Sequence, residues 1–283
     1  MKGLLKSLFI SVFPAFALYV LVLSAWQLAQ QHNAWIQNIG TLAMALMVFS
    51  FFGGLFLKSQ ARTSRNLNIH SFVILICYVT ILIGRFIESK SNLVYYSSTF
   101  LVFGWITYLS WFSTFKQRDN SVLHVGNTLP GFQLENPLKE TISASSFKGK
   151  PSIWLFYRGN WCPLCMAQIK EVAAQYQELE KRGVNMILVS PQPHKNSEDL
   201  AKKFNVSFHF LTDYKNKVAK QLGVLHANGI PAGFQVMGYD SDTVLPTVVI
   251  TDATGKIIFT DLTDNYRVRP EPETFLEVLD AQN

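Results

Sequence analysis

Two cysteines, Cys162 and Cys165, stand in the stretch "FYRGNWCPLC" (156–165), with Trp161 and Pro163 beside them and Arg158 just upstream. The chain has one further cysteine, Cys77. Two residues between thiols let the sulfurs meet across one helical turn, so a product formed on one can be resolved by the other. A tetrahedral zinc site needs two more ligands. No second CxxC exists and His124, His194, His209 and His226 are scattered, so no metal is expected. A structural disulfide closing so short a loop stabilises little, and in a cytosol it is reduced. Thiol redox chemistry without a cofactor is the reading left.

That chemistry needs elements to place it. "KGKPSIWLFY" reads as a buried strand, apolar and uninterrupted from Ile153 to Tyr157. After the cysteines, Met166, Ile169, Val172, Ala173, Tyr176 and Leu179 recur at threes and fours, which predicts one long helix closed by Gly183. The pair is therefore expected at a strand-to-helix turn, where free N–H groups and the helix dipole favour a thiolate. Pro163 fits the first helical turn without losing a needed hydrogen bond. Downstream come a strand at 184–190, a helix in "SEDLAKKFN" with Ser197 as its N-cap, and a short strand in "SFHFLTD". A helix in "NKVAKQLGV", a hairpin in "PTVVITDATGKIIFTDL" and a terminal helix in "PEPETFLEVLDAQ" complete the order. Such alternation predicts a mainly parallel sheet covered by helices on both faces.

The 283 residues are long enough for two domains, and their charge is uneven. Residues 1–119 hold nine Lys+Arg against two Asp+Glu, and the remainder sixteen against seventeen. The basic excess thus lies in the apolar first part, which argues against a nucleic-acid partner. Four apolar runs, roughly 8–29, 39–57, 70–87 and 93–115, are each long enough to cross a bilayer. The first follows Lys2 and Lys6, yet it is too long for a signal-peptide core and lacks a clean cleavage site, so it is expected to be retained. Lys58, Arg62 and Arg65 fall between the second and third runs, and Lys116 and Arg118 follow the fourth. "QQHNAWIQN" has no Lys or Arg, while Arg85 and Lys90 are offset by Glu88. The positive-inside rule then puts both termini on the cytoplasmic side of a bacterial-type inner membrane. Cys77 reads as a small packing residue. His32 and His70 fall at opposite faces and cannot clamp one haem. With no acid deep in any run, the expected role is anchor and scaffold, with the lipid bilayer as partner, rather than transport or quinone chemistry. Trp26, Trp35, Trp105, Trp111, Tyr95 and Tyr96 read as interface or packing aromatics.

From about residue 124 onward the chain resembles the AhpC/TSA (peroxiredoxin-like, redoxin) family of the thioredoxin superfamily. The resemblance rests on "VGNTLPGFQL", "FKGKPSIWLFYRGNWCPLC", "FLTDYKNKVAKQLGV", "LPTVVITDATGKIIF" and "NYRVRPEPETFLEVL", in that order. It implies an α/β thioredoxin-like domain at 120–283; the first part lies outside the resemblance, and its four apolar runs are expected to form an all-α four-helix transmembrane domain at 1–119. The resemblance further implies a reactive cysteine at the helix start and a cis-proline beside it at Pro246. Typical peroxiredoxins carry Pro-x-x-x-Thr/Ser-x-x-Cys. With Cys165 as the reactive cysteine, Cys162 takes the threonine's place and Arg158 and Gly159 replace the proline region. With Cys162 aligned instead to the attacking thiol of thioredoxin, "NWCPLC" is a Trp-Cys-x-x-Cys motif, and both alignments stand.

Arg158 is then either a stabiliser of thiolate or peroxide oxygen, or a solvated loop arginine. Of Arg267 and Arg269, one approaches the cysteine or either caps the sheet's end. Trp161 is expected to shield the site, and His194 in "SPQPHK" to be a surface loop residue, with general base as its lesser role. The implied function is a membrane-anchored thiol oxidoreductase that reduces peroxides or disulfides through the CxxC pair. A thioredoxin- or glutaredoxin-type donor would reset it. Two other readings remain: a periplasm-facing thiol–disulfide reductase of the tethered thioredoxin type, and a non-enzymatic membrane redox sensor.

Overall fold

A computed structural model of the protein describes residues 2–30, 34–88, 91–115, 118 and 121–281. His32, Lys90 and Lys116 lie outside the described residues. The chain divides into two compact units.

One unit comprises Leu8–Lys58 and Thr63–Thr114. It is built from α1 (Lys2–Ala29), α2 (Trp35–Leu57), α3 (Asn68–Ile87) and α4 (Asn92–Thr107). Among the described residues, three helical stretches are long and apolar enough to cross a membrane: Gly3–Ala29, Trp35–Leu57 and Asn68–Ile87. The fourth apolar run is a 16-residue α-helix continued by a π-helical turn, Tyr108–Phe112. Glycines mark the tightest approaches. A Cβ on Gly104 would run into the Phe13 ring, and one on Gly40 would lie 2.8 Å from Ile81. Polar groups are met locally. Thr41 donates to Gln37 O (2.9 Å), and its oxygen meets the Ser98 hydroxyl at 2.7 Å. The Glu88 carboxylate accepts the Ile36 and Gln37 N–H groups at 2.8 and 3.3 Å, covering donors that the first turn of α2 leaves open.

The other unit comprises Met1–Ser7, Ser59–Arg62 and Phe115–Asn283. In chain order it contains β1 (Gln133–Glu135), β2 (Thr141–Ser143), β3 (Ser152–Phe156), α5 (Pro163–Ala174), α6 (Tyr176–Lys181) and β4 (Asn185–Ser190). There follow α7 (His194–Phe204), β5 (His209–Thr212), α8 (Lys217–Gln221), β6 (Leu225–His226), β7 (Thr243–Val244), β8 (Thr247–Thr251), β9 (Ile257–Asp261) and α9 (Pro272–Asp280). Seven strands form one sheet in the order β2-β1-β5-β4-β3-β8-β9.

Among the described residues only β3, β4 and β5 pair in parallel; β1, β2, β8 and β9 pair antiparallel, so the sheet is mixed rather than mainly parallel. The cause at one edge is the turn Asp252–Gly255, where Gly255 takes φ +90° and folds β9 straight back on β8. Alternation along the strands splits the core. Trp154, Phe156, Ile187, Val189, Leu211 and Val249 pack in one cluster with Val218 and Ala219 of α8 and Leu222 just past its end. The intervening Ile153, Leu155, Met186, Leu188, Val248 and Ile250 are buried as well, so both faces of the sheet are covered.

Two helices differ from the sequence reading. The long helix breaks at Gln175 (φ −92°, ψ 12°), which separates α5 from α6. Helix α7 starts at His194, straight after Pro193, and Ser197 lies buried inside it rather than capping it. The Ser197 hydroxyl is taken up by Gln192 Nε2 (3.2 Å) and meets Thr212 Oγ1 at 3.3 Å, tertiary partners that outcompete a local cap.

Candidate active site

Every residue of β3 is buried, and the strand ends by handing the chain to the turn Tyr157–Trp161. Gly159 takes φ +143°, and a Cβ there would stand 2.7 Å from the Trp161 indole nitrogen, so the turn needs glycine twice over. Cys162 is the N-cap of α5 in an extended conformation, and Pro163 opens the helix. Its Sγ accepts the Cys165 N–H at 3.4 Å, where a serine or threonine cap would place its oxygen. The two sulfurs are 2.6 Å apart and unbonded, with Cys162 and Cys165 only 2% and 0% exposed.

One guanidinium reaches them. Arg269 Nη2 lies 3.4 Å from Cys165 Sγ and 3.9 Å from Cys162 Sγ. Arg269 is aimed by two acceptors: Gln168 Oε1 takes Nη1 at 2.9 Å, and Tyr266 O takes Nε at 3.1 Å. Burial pushes the Cys165 thiol up, but the Cys162 thiol, the Arg269 charge and the Arg158 backbone outweigh it and hold Cys165 down at about 5. Burial, and then the thiolate beside it, push Cys162 well above the ordinary thiol range. The two thiols therefore titrate as a pair rather than separately. Position at the helix start does not separate the two thiols; the contact between them does first, and the closer approach of Arg269 to Cys165 second.

The remaining expected residues are placed as follows. Arg158 is buried, not solvated; it donates to Gly229 O and lies with its guanidinium carbon 4.7 Å from the Trp161 ring centre. Trp161 packs edge-on against Phe234 at 5.7 Å. Arg267 is fully buried, and its backbone N–H donates to Asn265 Oδ1 (3.0 Å); the guanidinium at the sulfurs is that of Arg269, two residues on. His194 is the first residue of α7, and its Nε2 meets Glu135 Oε2 at 2.7 Å.

Pro246 is a correction. Among the described residues no peptide bond is cis, so Leu245–Pro246 is trans. The chain on either side is held extended: Leu245 N–H donates to Val224 O (2.7 Å), and Arg118 Nη1 donates to Pro246 O (2.8 Å). With no turn to make there, the bond keeps the isomer that X-Pro bonds favour by about 0.5–1 kcal/mol. Pro246 is the strand-opening proline of β8.

Two polar side chains escaped the sequence reading. Gln168 sits one turn after Cys165 on the buried face of α5; an amide on an apolar stripe was its available signal. Gln192, buried between Pro191 and Pro193, accepts the Asn160 N–H (2.8 Å) and donates to the Tyr157 hydroxyl (2.9 Å), so it fixes the turn from outside. Burial raises the Tyr157 hydroxyl's pKa and keeps it protonated beside the thiolate. A strap at 229–239 covers the same turn: Gly229 O receives Arg158, Phe234 meets Trp161, and the Tyr239 hydroxyl donates to Asn160 Oδ1. Among the described residues no group of three or more His, Cys, Asp or Glu is arranged for a metal ion.

This geometry can be set beside known proteins. Residues 125–260 match the AhpC/TSA family. The chloroplastic peroxiredoxin Q of Sedum lineare is 33% identical over 110 residues, 38% of this chain and 59% of that protein. The putative peroxiredoxin bcp of Haemophilus influenzae is 32% identical over 102 residues, 36% of this chain and 66% of that protein. The chain thus spans less than two thirds of the length of either relative. Among solved structures, a peroxiredoxin-like protein from Aquifex aeolicus superposes with a TM-score of 0.48 at 16% identity, covering 57% of this chain and 88% of that one. Over residues 125–260 the chain is similar to the AhpC/TSA family, and the matched stretch forms an α/β domain on the mixed sheet.

Proposed function

We propose that the protein is a membrane-anchored thiol peroxidase in which Cys165 attacks and Cys162 resolves. The observation that carries this reading is the seat of the Cys165 sulfur, 3.4 Å from Arg269 Nη2 and 2.6 Å from Cys162 Sγ. A thiolate held there is the nucleophile at neutral pH. It attacks one peroxide oxygen; the O–O bond breaks, and the other oxygen takes a proton and leaves as water or an alcohol. Arg269 is placed to offset the negative charge that moves through this step. The resulting sulfenic acid is displaced by the Cys162 thiol, which forms the Cys162–Cys165 disulfide and releases water. A thioredoxin- or glutaredoxin-type dithiol then reduces the disulfide and is itself oxidised. Disulfide exchange begun by Cys162 is the weaker route, because burial and the neighbouring sulfur raise that thiol's pKa.

Anchoring is supported by the three long apolar helices, and a fourth crossing by the apolar run at 92–112. The Lys and Arg pattern supports a cytoplasmic thiol domain. Labelling of Val236→Cys, an exposed strap position, by an impermeant maleimide in intact cells would reverse that side. The chemistry is tested on full-length protein in detergent. After one equivalent of hydrogen peroxide, non-reducing peptide mass spectrometry is expected to find Cys162 and Cys165 disulfide-linked, and Cys162→Ser is expected to accumulate sulfenic acid on Cys165. An oxidised protein without that disulfide overturns the scheme. A linked protein that shows no turnover with any dithiol donor marks a sensor rather than an enzyme.

A further inference from the structure

Arg62 lies between α2 and α3, far in sequence from the cysteines, yet it belongs to the thiol unit. Its Nη2 pairs with the Glu171 carboxylate, and its Nη1 stands 3.7 Å from Glu271 Oε1. Its Nε donates to Arg269 O at 3.2 Å and its Nη2 to Pro270 O at 3.3 Å. Glu171 is on α5, the helix that carries both sulfurs at its start. Arg269 and Pro270 belong to the irregular segment before α9 that delivers the guanidinium to those sulfurs. One side chain thus ties the helix that bears the nucleophile to the main chain that bears its counter-charge.

We infer that Arg62 is a positioning residue for the thiolate: it fixes the Arg269 backbone against α5, and so sets the distance from guanidinium to sulfur. This rests on the reading of Cys165 as the reacting thiolate. The Arg269–Pro270 carbonyls lie outside any strand, so their donors must come from elsewhere, and Arg62 supplies them. Its planar fork is suited to serving two adjacent carbonyls and a carboxylate at once. An isolated, partly exposed ion pair contributes little. The function of this one is leverage, since the attraction between guanidinium and thiolate falls with distance in a dry site. The largest influences on Cys165 come from Cys162, Arg269 and the Arg158 backbone, with Tyr157 beside it and the Arg158 charge acting on Cys162. None of them is held in place by Arg62 except Arg269.

The test is the pH dependence of iodoacetamide alkylation at Cys165 in reduced full-length protein, read by peptide mass spectrometry. Arg62→Gln is expected to raise the midpoint by about one unit, the lower end of what a nearby opposite charge supplies. Arg62→Lys keeps a charge for Glu171 but cannot serve both carbonyls, and is expected to fall between the two. Arg182→Gln is the control: it removes a surface pairing with Asp280 and Glu178, and is expected to leave the midpoint where it was. An unmoved midpoint in Arg62→Gln overturns the inference. Should that variant fail to fold, Glu171→Gln decides in the same way, since it frees α5 from the tie. A wild-type midpoint near 5 without peroxide turnover would sink the proposed function and leave this comparison readable.

Discussion

The two units bury polar groups by different rules. Among the described residues of the helical unit the buried polar side chains are neutral: Ser24, Gln37, Asn38, Thr41, Ser97, Ser98 and Ser113. Several hydroxyls are satisfied by carbonyls of their own helix or by a hydroxyl on the next. The thiol unit instead buries four arginines: Arg118, Arg158, Arg267 and Arg269. A buried cation is tolerated only where acceptors or opposite charge offset its lost hydration. Arg118 has the Pro246 and Thr263 carbonyls and the Thr247 hydroxyl, with Asp261 and Asp264 acting on it from nearby. Arg269 has an amide, one carbonyl and two sulfurs, and no carboxylate among these contacts. The negative partner nearest it is the Cys165 sulfur, which the Cys162 thiol and then the Arg269 charge hold below the ordinary thiol range.

The sharpest test of this contrast uses the cysteines of the two units. Cys165→Ser is expected to slow hydrogen peroxide consumption on the order of 10³-fold or more, as loss of a nucleophile does. Cys77→Ser, within α3, is expected to leave the rate unchanged. A large loss in Cys77→Ser would break the division by giving the helical unit a part in the chemistry. Next in size is Arg269→Met, which removes the charge and keeps the bulk. Peroxide reactivity at pH 7 is expected to fall about 10²-fold, the effect of losing one well-placed donor. The pH profile gives the sign. With the thiolate held at about 5, wild-type reactivity is flat at neutral pH and is lost as the pH falls through that value. In Arg269→Met the rise is expected to move up toward neutral pH, because burial is then opposed only by the Cys162 thiol and the Arg158 backbone. A profile that stays put would mean that the Cys162 thiol alone holds the thiolate.

Sequence reading reached the strand β3, the helix start and the thiol pair between them because those signals are local: an apolar run, a repeat at threes and fours, a proline at the first turn. The hairpin of β8 and β9 was legible from its Asp-Ala-Thr-Gly turn for the same reason. What escaped depends on distant partners. Arg267 and Arg269 share composition and burial, and only the path of the chain before α9 decides which one meets the sulfurs. Gln168 and Gln192 act through contacts 101 and 32 residues away in sequence. Ser197 looks like a cap until Gln192 and Thr212 claim its hydroxyl. Pro246 was misjudged because the resemblance carried a conformation that the local hydrogen bonds do not require.

The smallest effect bears on the helical unit alone. Thr41 and Ser98 form the 2.7 Å hydroxyl pair that joins α2 to α4, and the rule of local satisfaction says such a pair contributes little. Each hydroxyl can fall back on its own helix, Thr41 on Gln37 O and Ser98 on Val94 O, so breaking the pair strands neither group. A double-mutant cycle of Thr41→Val and Ser98→Ala, read as unfolding free energy in detergent, is expected to return a coupling of about 0.6 kcal/mol, typical of hydrogen bonds between apolar helices. The thiolate midpoint should be unmoved in all three variants. A coupling several times larger would mean that the hydroxyls have no such fallback and that the helical unit, like the thiol unit, depends on particular polar pairs. A shifted midpoint would go further, since neutral hydroxyls carry no charge to act on Cys165. It would show that packing between the helices, rather than Arg62 alone, sets the place of the guanidinium.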